Sequence, residues 1–223
     1  MILKTSLITL KTDCKVTQDT TKFRGFIANK FSNNTLLHQH EKEGFVYLYP
    51  RVQYKVLDGK LAIIGINEGV ETLKKIHPKI DYLELGRERY KIIEKKIDEE
   101  DVGFGVDSIT KHYHFLTSWL ALNERNYERY KDSNQREQIQ LLEKILIGNI
   151  LSMAKGLEYV VTKEIKVKNL KLEMQDIKIK DIKMIGFIGD FEVNFNLPDY
   201  IGLGKMVSKG FGTIKRTNEK QEI

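Results

Sequence analysis

Asp58-Gly59 stands between two apolar-rich runs, Val52–Leu57 and Lys60–Ile66. A two-residue Asp-Gly link suits the turn whose twist matches an antiparallel pair, a strong signal for a hairpin in the first hundred residues. Around it the hydrophobic period changes in a fixed order. Ile2 to Thr12 mixes Leu3, Leu7, Ile8 and Leu10 with Thr and Lys, a strand pattern. Thr17 to Phe31 carries Phe23, Phe26, Ile27 and Phe31 at three- and four-residue steps, which predicts a helix capped by Asp19 or Thr20 and stopped at Asn33-Asn34. A polar stretch, His38 to Glu43, leads into the strand-like Phe45-Val-Tyr-Leu-Tyr49. Beyond the hairpin, Val70 to Ile76 reads as a short helix ended before Pro78, and Tyr82–Leu85 and Tyr90 to Ile97 read as strands. The order β-α-β-β-α-β is the ferredoxin-like (RRM-like) pattern.

The second half looks like a diverged repeat. Lys111 to Trp119 predicts a strand, and Leu120 to Tyr130 and Gln135 to Lys155 predict helices. The second helix places Leu142, Leu146, Ile150 and Met153 on one stripe before a Gly156 stop. From Thr162 to Met184 apolar residues alternate with lysines, a strand or hairpin with a basic face; Gly186 to Asn196 and Thr213 to Arg216 give further strands. The expectation is an α+β chain of two tandem ferredoxin-like (βαββαβ) halves, 1–100 and 108–223. The break falls near Asp98 to Thr110, where the charged Glu99-Glu100-Asp101, Gly103 and Gly105 suggest a loop.

Composition narrows the function classes. The 223 residues hold 37 Lys+Arg against 31 Asp+Glu, a net charge of +6 spread through folded-looking segments, which permits a polyanionic partner. Lys163, Lys166, Lys168, Lys171, Lys178, Lys180 and Lys183 form either a basic ridge or the solvated face of strands. The single cysteine, Cys14, excludes a disulfide framework and a Cys-based zinc site, and reads as a small packing residue. Met1 to Leu10 is too polar for a signal peptide, and no apolar run is long enough to span a bilayer, so a cytoplasmic protein with no membrane association is expected.

The C-terminal loop carries the most specific pattern: Gly202-Leu-Gly204, five residues, then Gly210-Phe-Gly212, with Lys205 and Lys209 between. Glycines let a backbone approach a phosphate and present N–H groups to it, and the lysines add charge. The other reading is a hairpin turn with glycines for clearance. The loop lacks the Lys-Ser/Thr of a Walker motif and the strand–helix setting of a Rossmann fingerprint. Two ferredoxin-like halves with this loop in the second resemble the CRISPR repeat-processing endoribonucleases of the sixth Cas family, in the RAMP superfamily, most closely its archaeal subtype b branch. The resemblance implies metal-independent cleavage of precursor CRISPR RNA within each repeat, giving guide RNAs for antiviral defence, with no cofactor. It also implies RNA binding by Gly202, Gly204, Lys205, Lys209, Gly210 and Gly212. Implied partners are CRISPR repeat RNA and other Cas proteins of an effector complex, with monomer and homodimer both open. The alternative is a non-catalytic RNA-binding subunit of the same superfamily.

Metal-free RNA cleavage needs a base for the 2′-OH, an acid for the leaving 5′-oxygen and a cation beside phosphorus. The segment from Lys30 to Tyr49 contains such a set. His38 and His40, two apart, share a face of an extended segment within about 7 Å of each other. Lys30 near the end of the first helix supplies the cation, and Tyr47 a hydroxyl for a phosphate oxygen or a histidine, with Tyr49 as its substitute. The family places its catalytic histidine near the first helix or just after it, which His38 and His40 match. A competing arrangement pairs them with His112 and His114 as a four-histidine zinc site. Otherwise those two lie on one strand face, with Tyr113 and Phe115 packed on the other and RNA stacking as their use. His77, before Pro78, reads as a helix-end residue.

Overall fold

The computed structural model describes residues 1–38, 49–57, 59–179 and 181–217, and of His38 only the backbone. It divides into two compact units. One comprises Ile2–Val102 with Val207–Gly210; the other comprises Gly103–Met206 and the residues from Phe211, with Met1.

The first unit runs β1 (Ile2–Thr12), α1 (Thr20–Lys30), α2 (Thr35–His38), β2 (Val52–Leu57), β3 (Lys60–Ile66), α3 (Glu68–Ile76), β4 (Tyr82–Leu85) and β5 (Glu88–Gly103). The sheet order is β2-β3-β1-β5-β4, the ferredoxin-like arrangement with β4 added at one edge. The expected hairpin is present: Leu57 pairs with Lys60 and Val52 with Gly65. The Asp19 side chain caps α1 by accepting from the Lys22 N–H. Phe23 and Ile27 of α1 enter a core with Ile8, Leu10, Tyr54, Ile63 and Leu73. Burying such side chains stabilises the fold by about 1.5–3 kcal/mol each.

The second unit runs β6 (Gly105–Trp119), α4 (Glu124–Asp132), α5 (Gln135–Gly156), β7 (Val167–Ile179), β8 (Ile182–Asn196) and β9 (Ile214–Thr217). Its order β7-β8-β6-β9 is again ferredoxin-like. The second crossover, where the fold would place a helix, is instead the glycine-rich segment with one 3₁₀ turn, Val207–Lys209. Asn134 and Glu137 form a reciprocal capping box that starts α5, whose Leu142, Leu146, Ile150 and Met153 are all buried as the stripe requires. Among the described residues no helix is long and apolar enough to cross a membrane.

Three expectations are corrected. Glu99-Glu100-Asp101 is no loop, because β5 runs unbroken through it and the Glu100 carbonyl accepts from Thr5 Oγ1 of neighbouring β1. Leu120, Ala121 and Leu122 are not helical; they are buried irregular chain, and α4 begins only after Asn123, whose side chain accepts from the Asn126 N–H. Cys14 is exposed rather than packed, with its thiol held above the usual range by local desolvation and by Asp13.

Candidate functional site

The first helix carries the expected cation. Lys30 ends α1, where the helix dipole favours positive charge. Its Nζ lies 4.3 Å from the centroid of the Tyr82 ring and 5.7 Å from that of Phe26. The two rings meet edge to face at 5.8 Å, and Arg89 stands over Tyr82 at 4.3 Å. The next turn of chain leads directly to the first histidine: Asn34 N–H donates to the Phe31 carbonyl, Leu37 N–H to that of Asn34, and His38 ends α2. Leu37 is buried, and its carbonyl accepts from the hydroxyl of Tyr54, whose pKa burial raises. Lys30 and the His38 backbone thus belong to one short helix–turn–helix stretch of the first unit. His40 and Tyr47 lie outside the described residues, as does the His38 side chain.

The glycine-rich segment is divided between the two units. In the second, Gly202 bridges Thr213, and the Leu203 N–H donates to the Gly212 carbonyl at 2.8 Å. Gly212 has φ +61°, and a Cβ there would lie 1.9 Å from the Leu203 oxygen, so this position needs glycine. Gly204 packs beside the Trp119 indole, which donates to Asn149 Oδ1. Lys205 donates to the Leu122 carbonyl at 2.7 Å, and desolvation lowers its pKa. It lines a groove of about 860 Å³ with Leu122, Arg125, Tyr127, Lys183 and Met184.

In the first unit, Val207–Gly210 packs along β2, the edge strand. Thr20 Oγ1 donates to the Lys209 carbonyl, and Lys55 Nζ reaches the Val207 carbonyl at 3.4 Å. A Cβ on Gly210 would sit 2.9 Å from the Tyr54 oxygen. Lys55 is fully buried, and desolvation pulls its pKa down to about 7. Sequence reasoning passed over it. The one available signal was a lysine in the middle of an otherwise core-forming strand.

The other residues singled out are placed as follows. His112 and His114 share the outer face of β6, opposite Glu192 and Asp190 of β8, while Tyr113 and Phe115 are buried on the inner face. His114 Nδ1 is 2.8 Å from Asp190 Oδ1 and His112 Nδ1 is 3.5 Å from Glu192 Oε1, so each ring is held by a carboxylate. Among the described residues no three His, Cys, Asp or Glu side chains converge as a metal site would require. The paired lysines of 163–183 are divided between two faces: Lys168 and Lys171 stand opposite Glu192 and Asp190, whereas Lys178 and Lys183 pair on the other face. Tyr49 is described, but not as part of a strand. His77 caps α3, with burial, then Lys95, lowering its pKa.

Comparison with known proteins agrees with this architecture along nearly all of the chain. Residues 1–103 match the family model of the Cas6b N-terminal domain, and residues 105–217 that of the Cas6b C-terminal domain. A crystal structure of Cas6b superposes with a TM-score of 0.88 at 35% identity, covering 97% of this chain and 100% of that one. A crystal structure of the CRISPR RNA processing endoribonuclease Cas6b gives a TM-score of 0.79 at 33% identity, with the same coverage. An uncharacterised protein of Methanocaldococcus jannaschii is 44% identical over 137 residues, 61% of this chain and 93% of that protein. Two ferredoxin-like sheets, a glycine-rich second crossover and matches to both family domains lead to one conclusion: the chain belongs to the Cas6b family.

Proposed function

We propose that the protein is an endoribonuclease that cuts precursor CRISPR RNA within the repeat to release guide RNAs. The observation that carries this reading is the match of both halves to Cas6b, including a CRISPR RNA processing endoribonuclease that is 33% identical over nearly the whole chain. The mechanism follows from the residue types. A general base takes the proton of the 2′-OH, the 2′-oxygen bonds to phosphorus, and the P–O5′ bond breaks with a proton delivered to the leaving oxygen. The products are a 2′,3′-cyclic phosphate and a 5′-OH. His38 and His40 serve as the base and acid, since imidazole exchanges protons near neutral pH. Lys30 steadies charge on the phosphoryl oxygens and Tyr47 donates to one of them or orients a histidine. The position of Lys30 eight residues before His38, on adjacent helices, supports this grouping. The loop residues Gly202, Gly204, Lys205, Lys209, Gly210 and Gly212 bind the RNA backbone. The same reading carries a cytoplasmic location, no cofactor, and other Cas proteins and a second copy of the chain as further partners.

The test is incubation with a CRISPR-repeat RNA in EDTA, followed by end-group analysis. Cleavage leaving a 2′,3′-cyclic phosphate supports the reading. Intact RNA at micromolar protein both in EDTA and with added Mg²⁺, with binding retained, assigns the chain to the non-cleaving RNA-binding subunits. Cleavage that EDTA abolishes defeats the metal-free mechanism.

A further inference from the structure

Lys55 lies in edge strand β2 opposite Ala62, between Tyr54 and Val56, and none of it is exposed. An ammonium moved out of water loses hydration that a single neutral acceptor restores only in part, and the depressed pKa of Lys55 reflects that loss. A methionine of similar length would fill the site without this penalty, so space-filling does not explain a lysine here. Its acceptor does. The Val207 carbonyl takes Lys55 Nζ at 3.4 Å and, at the same time, the Gly210 N–H at 3.1 Å, the bond that closes the 3₁₀ turn Val207–Lys209. The turn is tied a second time where Thr20 Oγ1, at the start of α1, donates to the Lys209 carbonyl. Close backbone approach at Gly210 against Tyr54 lets the turn lie flat along the strand edge.

We infer that Lys55 is a positioning residue for the glycine-rich loop: by holding the Val207 carbonyl it fixes the turn that presents Lys209 to the RNA backbone. This rests on the reading that the loop binds repeat RNA. Lys55 itself, fully enclosed, touches no RNA.

Three variants and one double variant test it: Lys55→Met, which keeps the volume, Lys55→Gln, which keeps an N–H donor, Lys209→Ala, and Lys55→Met with Lys209→Ala. The readouts are thermal midpoint, amide exchange across 203–213, and affinity for a repeat RNA with a 2′-deoxy group at the cut site. Lys55→Met should melt no lower than the wild type, exchange its loop amides about tenfold faster and bind RNA about tenfold more weakly. Lys55→Gln should recover part of both losses, and adding Lys209→Ala to Lys55→Met should cost less than it does alone. If Lys55→Met matches the wild type in exchange and affinity while Lys209→Ala weakens binding, the inference falls and the loop reading stands. If Lys209→Ala has no effect on binding, the loop reading fails first. Should Lys55→Met not fold, Lys55→Gln decides: loop exchange faster than the wild type supports the inference, and wild-type exchange overturns it.

Discussion

Tyr82 lies under two cations at once, with Lys30 Nζ and the Arg89 guanidinium each 4.3 Å from its ring centroid. The ring therefore limits where the Lys30 charge can go. At partly exposed sites a cation–π contact is worth about 0.5–1 kcal/mol. Tyr82→Leu should slow single-turnover cleavage of repeat RNA about two- to fivefold, while Tyr82→Phe, which keeps the ring, should stay near the wild type. Equal rates for the leucine variant would mean that the ring does not place the charge.

Removing an acid or base should act on chemistry rather than binding. His38→Ala and His40→Ala are each expected to lower the cleavage rate by about 10²-fold or more with little change in RNA affinity. Rates at saturating enzyme and filter-binding constants, taken together, check this. Normal cutting by both variants would move the active site elsewhere.

Much of this molecule is written locally. The Asp58-Gly59 link, the α5 stripe from Leu142 to Met153 and the Asp19 cap each depend on neighbours a few residues away, and the structure contains the hairpin, stripe and cap they imply. What local pattern cannot convey is pairing at a distance. Glu99-Glu100-Asp101 reads as a charged loop because its side chains want water, yet its backbone is held in a strand beside β1, where Thr5 bonds Glu100. Leu120 to Leu122 reads as the apolar face of a helix, but these residues pack into the core ahead of the Asn123 cap. The acceptor that accounts for Lys55 is equally remote, a carbonyl 152 residues away. The proposed catalytic set rests on residue types alone; the structure describes Lys30 and the His38 backbone, while His40 and Tyr47 fall outside the described residues.

The loop lysines make a salt-dependence prediction. Lys205→Ala with Lys209→Ala should weaken RNA binding and flatten the plot of log affinity against log salt. The slope should fall by about 0.7 for each single-strand phosphate that the variant no longer neutralises. An unchanged slope would remove the loop from the binding surface.

Two glycines should respond in opposite ways to alanine. Gly212→Ala would place a Cβ 1.9 Å from the Leu203 oxygen at φ +61°, so a loss of at least ~2 kcal/mol is expected. Gly148→Ala, inside α5 with nothing within 4 Å of the new methyl, should gain about 0.5–1 kcal/mol. Denaturant unfolding of both variants checks the pair.

Burial of Lys55 also gives stability a pH dependence. Its pKa is about 7 in the folded protein against about 10.4 unfolded, so between those values the unfolded chain binds more protons. Stability from this group is therefore lowest below about pH 7 and rises toward about pH 10. Lys55→Met should remove that rise, so its stability advantage over the wild type is expected to be larger at pH 6 than at pH 9. A constant difference between the two pH values would show that the group does not titrate with folding.

The N-terminal unit is not a contiguous piece of chain, because Val207–Gly210 belongs to it. The ribosome finishes Ile2–Val102 roughly a hundred residues before it reaches Val207, an interval of about 5–20 s at ~5–20 residues per second. Throughout that interval the nascent sheet has an uncovered β2 edge, open to pairing with other chains. The turn beside the β2 edge thus arrives about a hundred residues after the sheet it packs on, and a nascent chain stalled after residue 102 carries that sheet without it.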